Sequence, residues 1–150
     1  MIDIYKHFNM KTDLAKILSV SGHSGLYVYV AQARNGAIVE TLADKKRTIF
    51  DAKSRITSLA DISIFTNDGE LKLREVFLKM KEALAGSPAP SHKADPEQIK
   101  AFFAKAVPDY DDTRFYVSHM KKVLDWYDQI DKYASFDFED EETAGQASEE

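Results

Sequence analysis

The feature that most constrains this fold is a change in the spacing of apolar residues near Leu73. Before this residue, short segments rich in β-branched and aromatic residues, such as GLYVYVAQ and AIVETL, alternate with turn sequences, which is typical of short β-strands. From Leu73 onward, apolar residues recur at the three- and four-residue spacing of amphipathic helices. We therefore expect an α+β protein in which strands precede helices.

Turn signals divide the first part into four or five short strands. The dipeptide Asn35-Gly36 favours a type I′ hairpin turn, which needs positive φ angles, and it predicts that the flanking strands pair. Further turns are predicted at Asp44-Lys45 and at Asn67-Asp68-Gly69, around the strands RTIFD and ISIFT. Because so few short strands bury little as a flat sheet, we expect them to curl into a small SH3-like barrel.

Four segments favour helices. TDLAKILSV predicts a short N-terminal helix capped by Thr12 or Asp13, and LREVFLKMKEAL predicts a helix that caps the barrel. Asp95-Pro96 is typical of a helix start, and Pro108 ends that helix. A last helix capped by Ser118 is predicted, and its short connection to the preceding helix favours an antiparallel helical hairpin.

Two segments lack an apolar pattern. AGSPAPSHKAD is rich in small residues and proline and is expected to be a linker, and FDFEDEETAGQASEE has little to bury after its phenylalanines and is expected to be disordered. The predicted organisation is a disordered or non-native start at residues 1–9, an SH3-like barrel with a capping helix at 10–84, a linker at 85–94, a helical module at 95–134 and a disordered acidic tail at 135–150.

The net charge of −5 conceals an uneven distribution. Residues 10–60 contain eight basic and four acidic residues, whereas residues 134–150 contain seven acidic residues and no basic one, which predicts a positive N-terminal part and a negative tail. The absence of cysteine excludes disulfides and suits a reducing compartment. Because the sequence has neither a membrane-spanning apolar run nor the pattern of a signal peptide, we expect a cytoplasmic protein without membrane attachment.

The residue types that commonly carry catalysis or bind metals are poorly placed here. The histidines are His7, His23, His92 and His119. No two of them have the spacing that puts metal ligands on one helical face. GHSG is one residue short of a nucleophile elbow, and the acidic residues at 109–112 lack the glycine and glutamate of a calcium loop. We predict no enzymatic activity, no metal site and no cofactor.

Basic residues near the predicted turns are the main candidates for binding. They either form a solvated rim or contact phosphates, with tyrosines available to stack on bases. Trp126 is a further candidate because tryptophan is enriched in interface hot spots, although it can instead pack against the barrel or the linker. The candidate binding residues are Arg34, Lys45, Lys46, Arg47, Lys53, Arg55, Tyr27, Tyr29 and Trp126.

Four strings in fixed order resemble a known family: DLAKILSVSGHSGLYVYV, ARNGAIVETL, ISIFTNDGELKLREVF and VPDYDDTRFYVSHMKKVLDWY. The family is domain-of-unknown-function family 5606, uncharacterised proteins of Bacteroidetes-type bacteria, and the resemblance runs from about Met10 to Tyr133. It implies an SH3-like N-terminal domain followed by a small helical domain. It implies no activity and no catalytic residue.

Two functional hypotheses follow from the sequence. The first is a non-catalytic binding or adaptor protein that recognises another protein through the barrel or the helical hairpin. The alternative is RNA or DNA binding through the basic face of the barrel, with the acidic tail as an internal competitor. Neither the ligand nor the oligomeric state follows from the sequence.

Overall fold

A five-stranded antiparallel sheet and three α-helices are the main elements of the chain, which the computed structural model describes over residues 11–139. Predictions for residues 1–9 and for most of the acidic tail therefore lie outside the described residues. The sheet consists of β1 (Ile17–Val20), β2 (Tyr27–Ala33), β3 (Gly36–Thr41), β4 (Arg47–Asp51) and β5 (Ile56–Ser58), in the order β4-β3-β2-β1-β5. The hairpin of β6 (Ser63–Thr66) and β7 (Gly69–Lys72) precedes α1 (Leu73–Leu84), α2 (Pro96–Ala106) and α3 (Val117–Tyr133).

Strand β1 occupies a segment for which we predicted a helix. That prediction is wrong, since TDLAKILSV forms only a 3-10 turn, Leu14–Lys16, before β1 begins. The strand pairs with β2 on one side and with β5 on the other. Its apolar residues Ile17, Leu18 and Val20 are buried on both faces. Burial on both faces removes the alternating pattern by which a half-buried strand is recognised.

The β2–β3 hairpin forms as predicted, but through a different turn. Its ladder ends at Ala33 opposite Gly36, so Arg34 and Asn35 are the two loop residues. Neither has a positive φ, and the predicted type I′ geometry is therefore wrong. Gly36 is required for another reason, because a Cβ at this position would lie 1.9 Å from the carbonyl oxygen of Phe50 on β4.

The inner face of the sheet encloses a small apolar cluster. The rings of Tyr27 and Phe50 meet edge to face there, with centroids 5.0 Å apart. The cluster contains Leu18, Val20, Tyr27, Val39 and Phe50, with Ala37 and Ile56 at its margin. Since all five strands contribute, the sheet must be strongly curled. Its edge strands β4 and β5 are not paired with each other, so among the described residues the sheet is open rather than a closed barrel.

The opposite face of the sheet shares one larger core with the helices. Ile17 and Leu26 belong to the same cluster as Phe77 of α1, Phe103 of α2 and Leu124 of α3. Helix α1 packs against α2 as well as against the β6–β7 hairpin. Residues 85–94, interpreted as a linker, run along this core, where Ala89 and Ala94 pack against it.

The ends of the last two helices follow local signals. Asp95 accepts a hydrogen bond from the Glu97 backbone N–H at 3.4 Å, and Pro96 is the first helical residue of α2. This helix ends before Pro108, as predicted, whereas α3 begins at Val117 with Tyr116 as its N-cap, so Ser118 lies within the helix and is not the predicted cap. Among residues 11–139, no helix combines the length and apolar character needed to cross a bilayer.

Residues 135–139 are packed, so the predicted disorder is wrong for the first part of the tail. The backbone N–H of Thr12 donates to the carbonyl oxygen of Asp137 at 2.8 Å. Phe138 is buried, and its ring is stacked on Phe77 with centroids 6.3 Å apart. This segment, which we call the C-terminal strap, thus joins the start of the described chain to the main core.

Candidate functional site

The basic candidates are distributed between the two ends of β3. Arg34 lies in the β2–β3 loop, and the hydrogen bond of 2.8 Å from Ala52 N–H to the Asn35 carbonyl oxygen brings Lys53 to the same end of the sheet. Arg55 follows Lys53 by two residues, so their backbones lie within about 7 Å of each other, and its carbonyl oxygen accepts a hydrogen bond from the Ser21 N–H at the end of β1. The remaining three, Lys45, Lys46 and Arg47, lie around the β3–β4 turn. The length of β3 separates this turn from the Arg34 loop by roughly 17 Å at the usual rise per residue.

The two tyrosines proposed to stack on bases differ in exposure. Tyr29 is 40% exposed, whereas Tyr27 is 8% exposed. The ring of Tyr27 contacts Phe50 and His23 in the small cluster. Tyr27 is therefore a core residue and is not accessible for stacking, contrary to the prediction.

Trp126 lies in an apolar groove of about 240 Å³ between α3 and β6. Helix α3 contributes His119, Lys122, Val123 and Trp126, whose spacing of three, four and seven residues places them on one face of the helix. Isoleucines before and within β6 form the facing wall together with Phe65. The Trp126 groove is defined here by Phe65, Arg114, Phe115, His119, Lys122 and Trp126.

A hydrogen-bonded turn before α3 positions Arg114 at this groove. Asp111 accepts hydrogen bonds from the Thr113 backbone N–H at 3.0 Å and from Arg114 Nε at 2.8 Å. Its own N–H donates to the carbonyl oxygen of Phe65 at 3.0 Å, which ties the turn to β6. The Arg114 guanidinium carbon lies 4.3 Å from the centroid of the Phe65 ring, within the range of a cation–π contact.

The charge of Asp111 is stabilised by the same contacts. The side-chain hydrogen bond from Thr113, and after it the one from Arg114, lower the pKa of this carboxyl below its ordinary value. The carboxylate therefore stays ionised over the physiological pH range. The acidic residues at 109–112 thus shape a turn, and no group of three His, Asp or Glu side chains among residues 11–139 is arranged to hold a metal ion.

His119 contributes a hydrogen-bond donor to the groove. Its Nδ1 accepts the backbone N–H of Tyr116 at 3.1 Å, which satisfies a free amide at the start of α3. In the neutral ring the proton then lies on Nε2. The ring also stacks on Phe115, with centroids 6.4 Å apart and planes 12° apart, so its orientation is fixed by two contacts.

The groove combines an apolar floor with a cationic rim. Arg114 and Lys122 carry positive charge, His119 is the third ionisable residue that lines it, and the described lining includes no carboxylate. Small-molecule sites usually enclose roughly 300–1,000 Å³, so the volume of about 240 Å³ suits one or two side chains rather than a whole metabolite. Chemically, this arrangement can bind an apolar side chain next to hydrogen-bond acceptors.

A larger cavity, of about 620 Å³, lies elsewhere, between the sheet and the C-terminal end of α3. Three lysines and three carboxylates line it: Lys11, Lys16, Lys45, Asp13, Glu40 and Glu139. This balance gives no preference for a ligand of either charge. Another cavity, of about 340 Å³, lies between the Pro88–Pro90 segment and α3 and includes Asp128 and Asp131.

Sequence reasoning identified Trp126 but not its neighbours in the groove. The face formed by His119, Lys122 and Trp126 was detectable from helical spacing, since it borders the apolar stripe of α3. Phe65 and Arg114 gave no such signal, because their proximity depends on how the turn before α3 packs against β6.

These features define a class: a small α+β protein with an open, curled sheet and an apolar groove between a helix and a hairpin. Two family models of unknown function match consecutive parts of the chain. Residues 14–59 match DUF5606 and residues 62–130 match DUF6852. The predicted resemblance to family 5606 is thus confirmed for the N-terminal part, and the second part matches a different family.

A solved structure also matches the chain. The chain is similar to a protein from Bacteroides vulgatus determined by solution NMR, with 38% sequence identity and a TM-score of 0.66; the match covers 78% of this chain and 84% of that one. No curated protein matches the chain. All residues of the Trp126 groove fall within the region that matches DUF6852, whereas the basic candidates fall within the DUF5606 region.

Proposed function

We propose that this protein is a non-catalytic binding module that recognises a partner protein through the Trp126 groove. The observation that carries the proposal is the pairing of two incompletely buried aromatic side chains in one cleft. Phe65 is 37% exposed and Trp126 is partly buried beside it. Covering such side chains removes apolar surface from water, and tryptophan is among the residues most enriched in binding hot spots.

The surroundings of the two aromatic residues support the same function. Arg114 covers one side of the Phe65 ring and is held there by Asp111. Phe115 is buried beneath the groove and fixes the ring of His119. A groove whose side chains are already held in place loses little conformational entropy on binding, which favours affinity.

Affinity capture with matched variants tests this proposal. The full chain and its Phe65→Ser and Trp126→Ala variants are used as baits in lysate of the source cells, after circular dichroism has established that each is folded. Tyr133→Ala is the matched control, because it removes an aromatic side chain with 44% exposure from the same helix, outside the groove.

We expect the wild type and Tyr133→Ala to retain the same partner protein and both groove variants to lose it. A partner that is retained by folded Phe65→Ser and Trp126→Ala would remove the groove from the binding site. If the wild type retained no partner protein, the proposal as a whole would be contradicted.

Nucleic-acid binding stays the alternative prediction, with less support. Its basic residues are divided among separate places on the sheet, and Tyr27 is enclosed in the small cluster. Arg47 also lies 3.9 Å from Glu40, which offsets part of its charge. A phosphate backbone would have to contact groups at opposite ends of β3.

We also propose that the five-stranded sheet belongs to the SH3-like class. The support is its order β4-β3-β2-β1-β5, together with a single apolar cluster to which every strand contributes. A cytoplasmic location stays a prediction from the sequence.

A further inference from the structure

We infer that the segment bound in the Trp126 groove is a short acidic stretch of the partner that carries one large aliphatic or aromatic anchor. This inference rests on the proposed function and adds the chemistry of the ligand. It follows from three properties of the groove: its volume, the sign of the charges at its rim, and the hydrogen bonds that already join the edge of β6 to the turn before α3.

The anchor follows from the size and floor of the groove. Its volume of about 240 Å³ is lined below by Ile62, Ile64 and Val123, and at its sides by Phe65 and Trp126. An aliphatic or aromatic side chain that enters this space exchanges water for apolar contact on several sides, at about 25 cal/mol per Å² of buried apolar surface.

The acidic flanks follow from the rim. Lys122 and Arg114 are exposed cations at the groove, and the neutral His119 ring has its proton on Nε2, so it can donate a hydrogen bond. Asp111 offsets part of the Arg114 charge, which leaves Lys122 as the main free cation of the described rim. Because the whole chain has a net charge of −5, an acidic ligand is attracted by this local rim rather than by the overall field, and local complementarity of this kind gives specificity.

Recognition must proceed mainly through side chains. The edge of β6 that is turned away from β7 already contacts the turn before α3, since Asp111 N–H donates to the Phe65 carbonyl oxygen at 3.0 Å and Asn67 N–H donates to that of Asp109 at 2.8 Å. A partner strand therefore cannot extend the sheet along this stretch by the usual ladder of backbone hydrogen bonds. The anchor and the carboxylates have to supply the affinity.

A fluorescence titration tests the inference on the full chain. Trp126 is the single tryptophan, so its emission reports directly on the groove. The probe is a tryptophan-free synthetic peptide in which Asp and Glu residues flank one Leu. Control peptides replace the Leu with Ser, or replace the acidic residues with Lys. Single-stranded oligothymidine is the nucleic-acid control.

The matched variants are Lys122→Glu and Lys121→Glu. Both residues are exposed on the same helix and undergo the same charge reversal, but only Lys122 lines the groove. We expect the acidic Leu peptide to shift Trp126 emission, and Lys122→Glu to weaken its affinity about fivefold to tenfold, the size expected for reversing one exposed charge contact. Lys121→Glu should change the affinity by less than about twofold, and added salt should weaken binding.

Three outcomes would overturn the inference. One is equal binding of the acidic and basic peptides, and another is an equal effect of the two lysine variants. The third is binding of oligothymidine that depends on Lys122, which would favour nucleic acid. If the acidic peptide fails to bind while capture of a partner still depends on Phe65, the inference falls and the proposed function survives. If both fail, both are wrong.

Discussion

At the scale of single residues, Asp111 organises the turn before α3 and links it to strand β6 by hydrogen bonds. One carboxylate accepts hydrogen bonds from Thr113 and Arg114, while the backbone N–H of the same residue binds β6. Helix α3 and the β6–β7 hairpin are thereby held at the spacing that opens the groove. The side chain is partly buried, with 15% of its surface exposed, and its effect on stability comes from the hydrogen bonds that organise the turn.

We predict that Asp111→Ala lowers the melting temperature near neutral pH, with Asp112→Ala as the control in the same turn. The hydrogen bonds from Thr113 and Arg114 lower the pKa of Asp111 in the folded state below its ordinary value. Its stabilisation is therefore present above the unfolded pKa and is lost as the pH falls through the folded pKa. Thermal unfolding at a series of pH values should show a difference between wild type and Asp111→Ala that shrinks in acid. A difference independent of pH would contradict this assignment.

At the scale of elements, the β2–β3–β4 meander depends on close backbone contact at Gly36. The residue pairs with Ala33 on β2 and with Asp51 on β4. A methyl group there would meet the backbone of Phe50 rather than a movable side chain. The dipeptide Asn35-Gly36 therefore predicted the hairpin correctly, but glycine is needed there for close backbone contact with β4 and not for a positive φ angle.

Substituting each residue of this dipeptide separates the two explanations. Gly36→Ala should destabilise the protein by about 1–3 kcal/mol, the usual range for overpacking, because the β4 backbone must move. Asn35→Ala should cost little, because Asn35 is exposed and has no positive φ. Chemical denaturation of both variants gives the comparison. If Asn35→Ala lowered the free energy of unfolding more than Gly36→Ala did, the explanation by a turn with positive φ would be favoured again.

The errors at the element scale share one cause. Strand β1 and the short strands β5 and β7 were missed, whereas α1 and α2 were predicted nearly to the residue. Helix periodicity and caps such as Asp95 are local, so a single segment reports them. A strand of three or four residues gains its hydrogen bonds from partners distant in sequence, as β1 does from β2 and β5.

At the scale of the whole molecule, the two matched regions share one core. Leu26 of the first region is buried in the main cluster, and its backbone N–H donates to Gln129 Oε1 on α3 at 2.8 Å. The C-terminal strap closes the same core from the other side, through Phe138 and Thr12. Thr12 is 4% exposed, and its hydroxyl donates to the Ser135 carbonyl oxygen at 2.7 Å.

We predict that the strap is required for stability. Deleting residues 135–150 should lower the free energy of unfolding by roughly 3 kcal/mol or more relative to deleting residues 140–150, which is the usual scale for losing a buried phenylalanine. The shorter deletion is the control, since it keeps Phe136 and Phe138. Urea denaturation followed by Trp126 fluorescence measures both. Equal stability of the two truncated chains would show that the strap contributes little.

The sequence by itself determined the class of the fold, the uneven distribution of charge, the β2–β3 hairpin and the start and end of α2, because turn residues, caps and helical spacing act within a few positions. Only the tertiary structure decided that the sheet stays open at its edges, that α1 joins the other helices, and that Phe65, Arg114 and Trp126 meet in one groove. These features depend on contacts between segments far apart in the chain. Such contacts are selected by the shape and burial of the whole core, for which no single segment carries a signal.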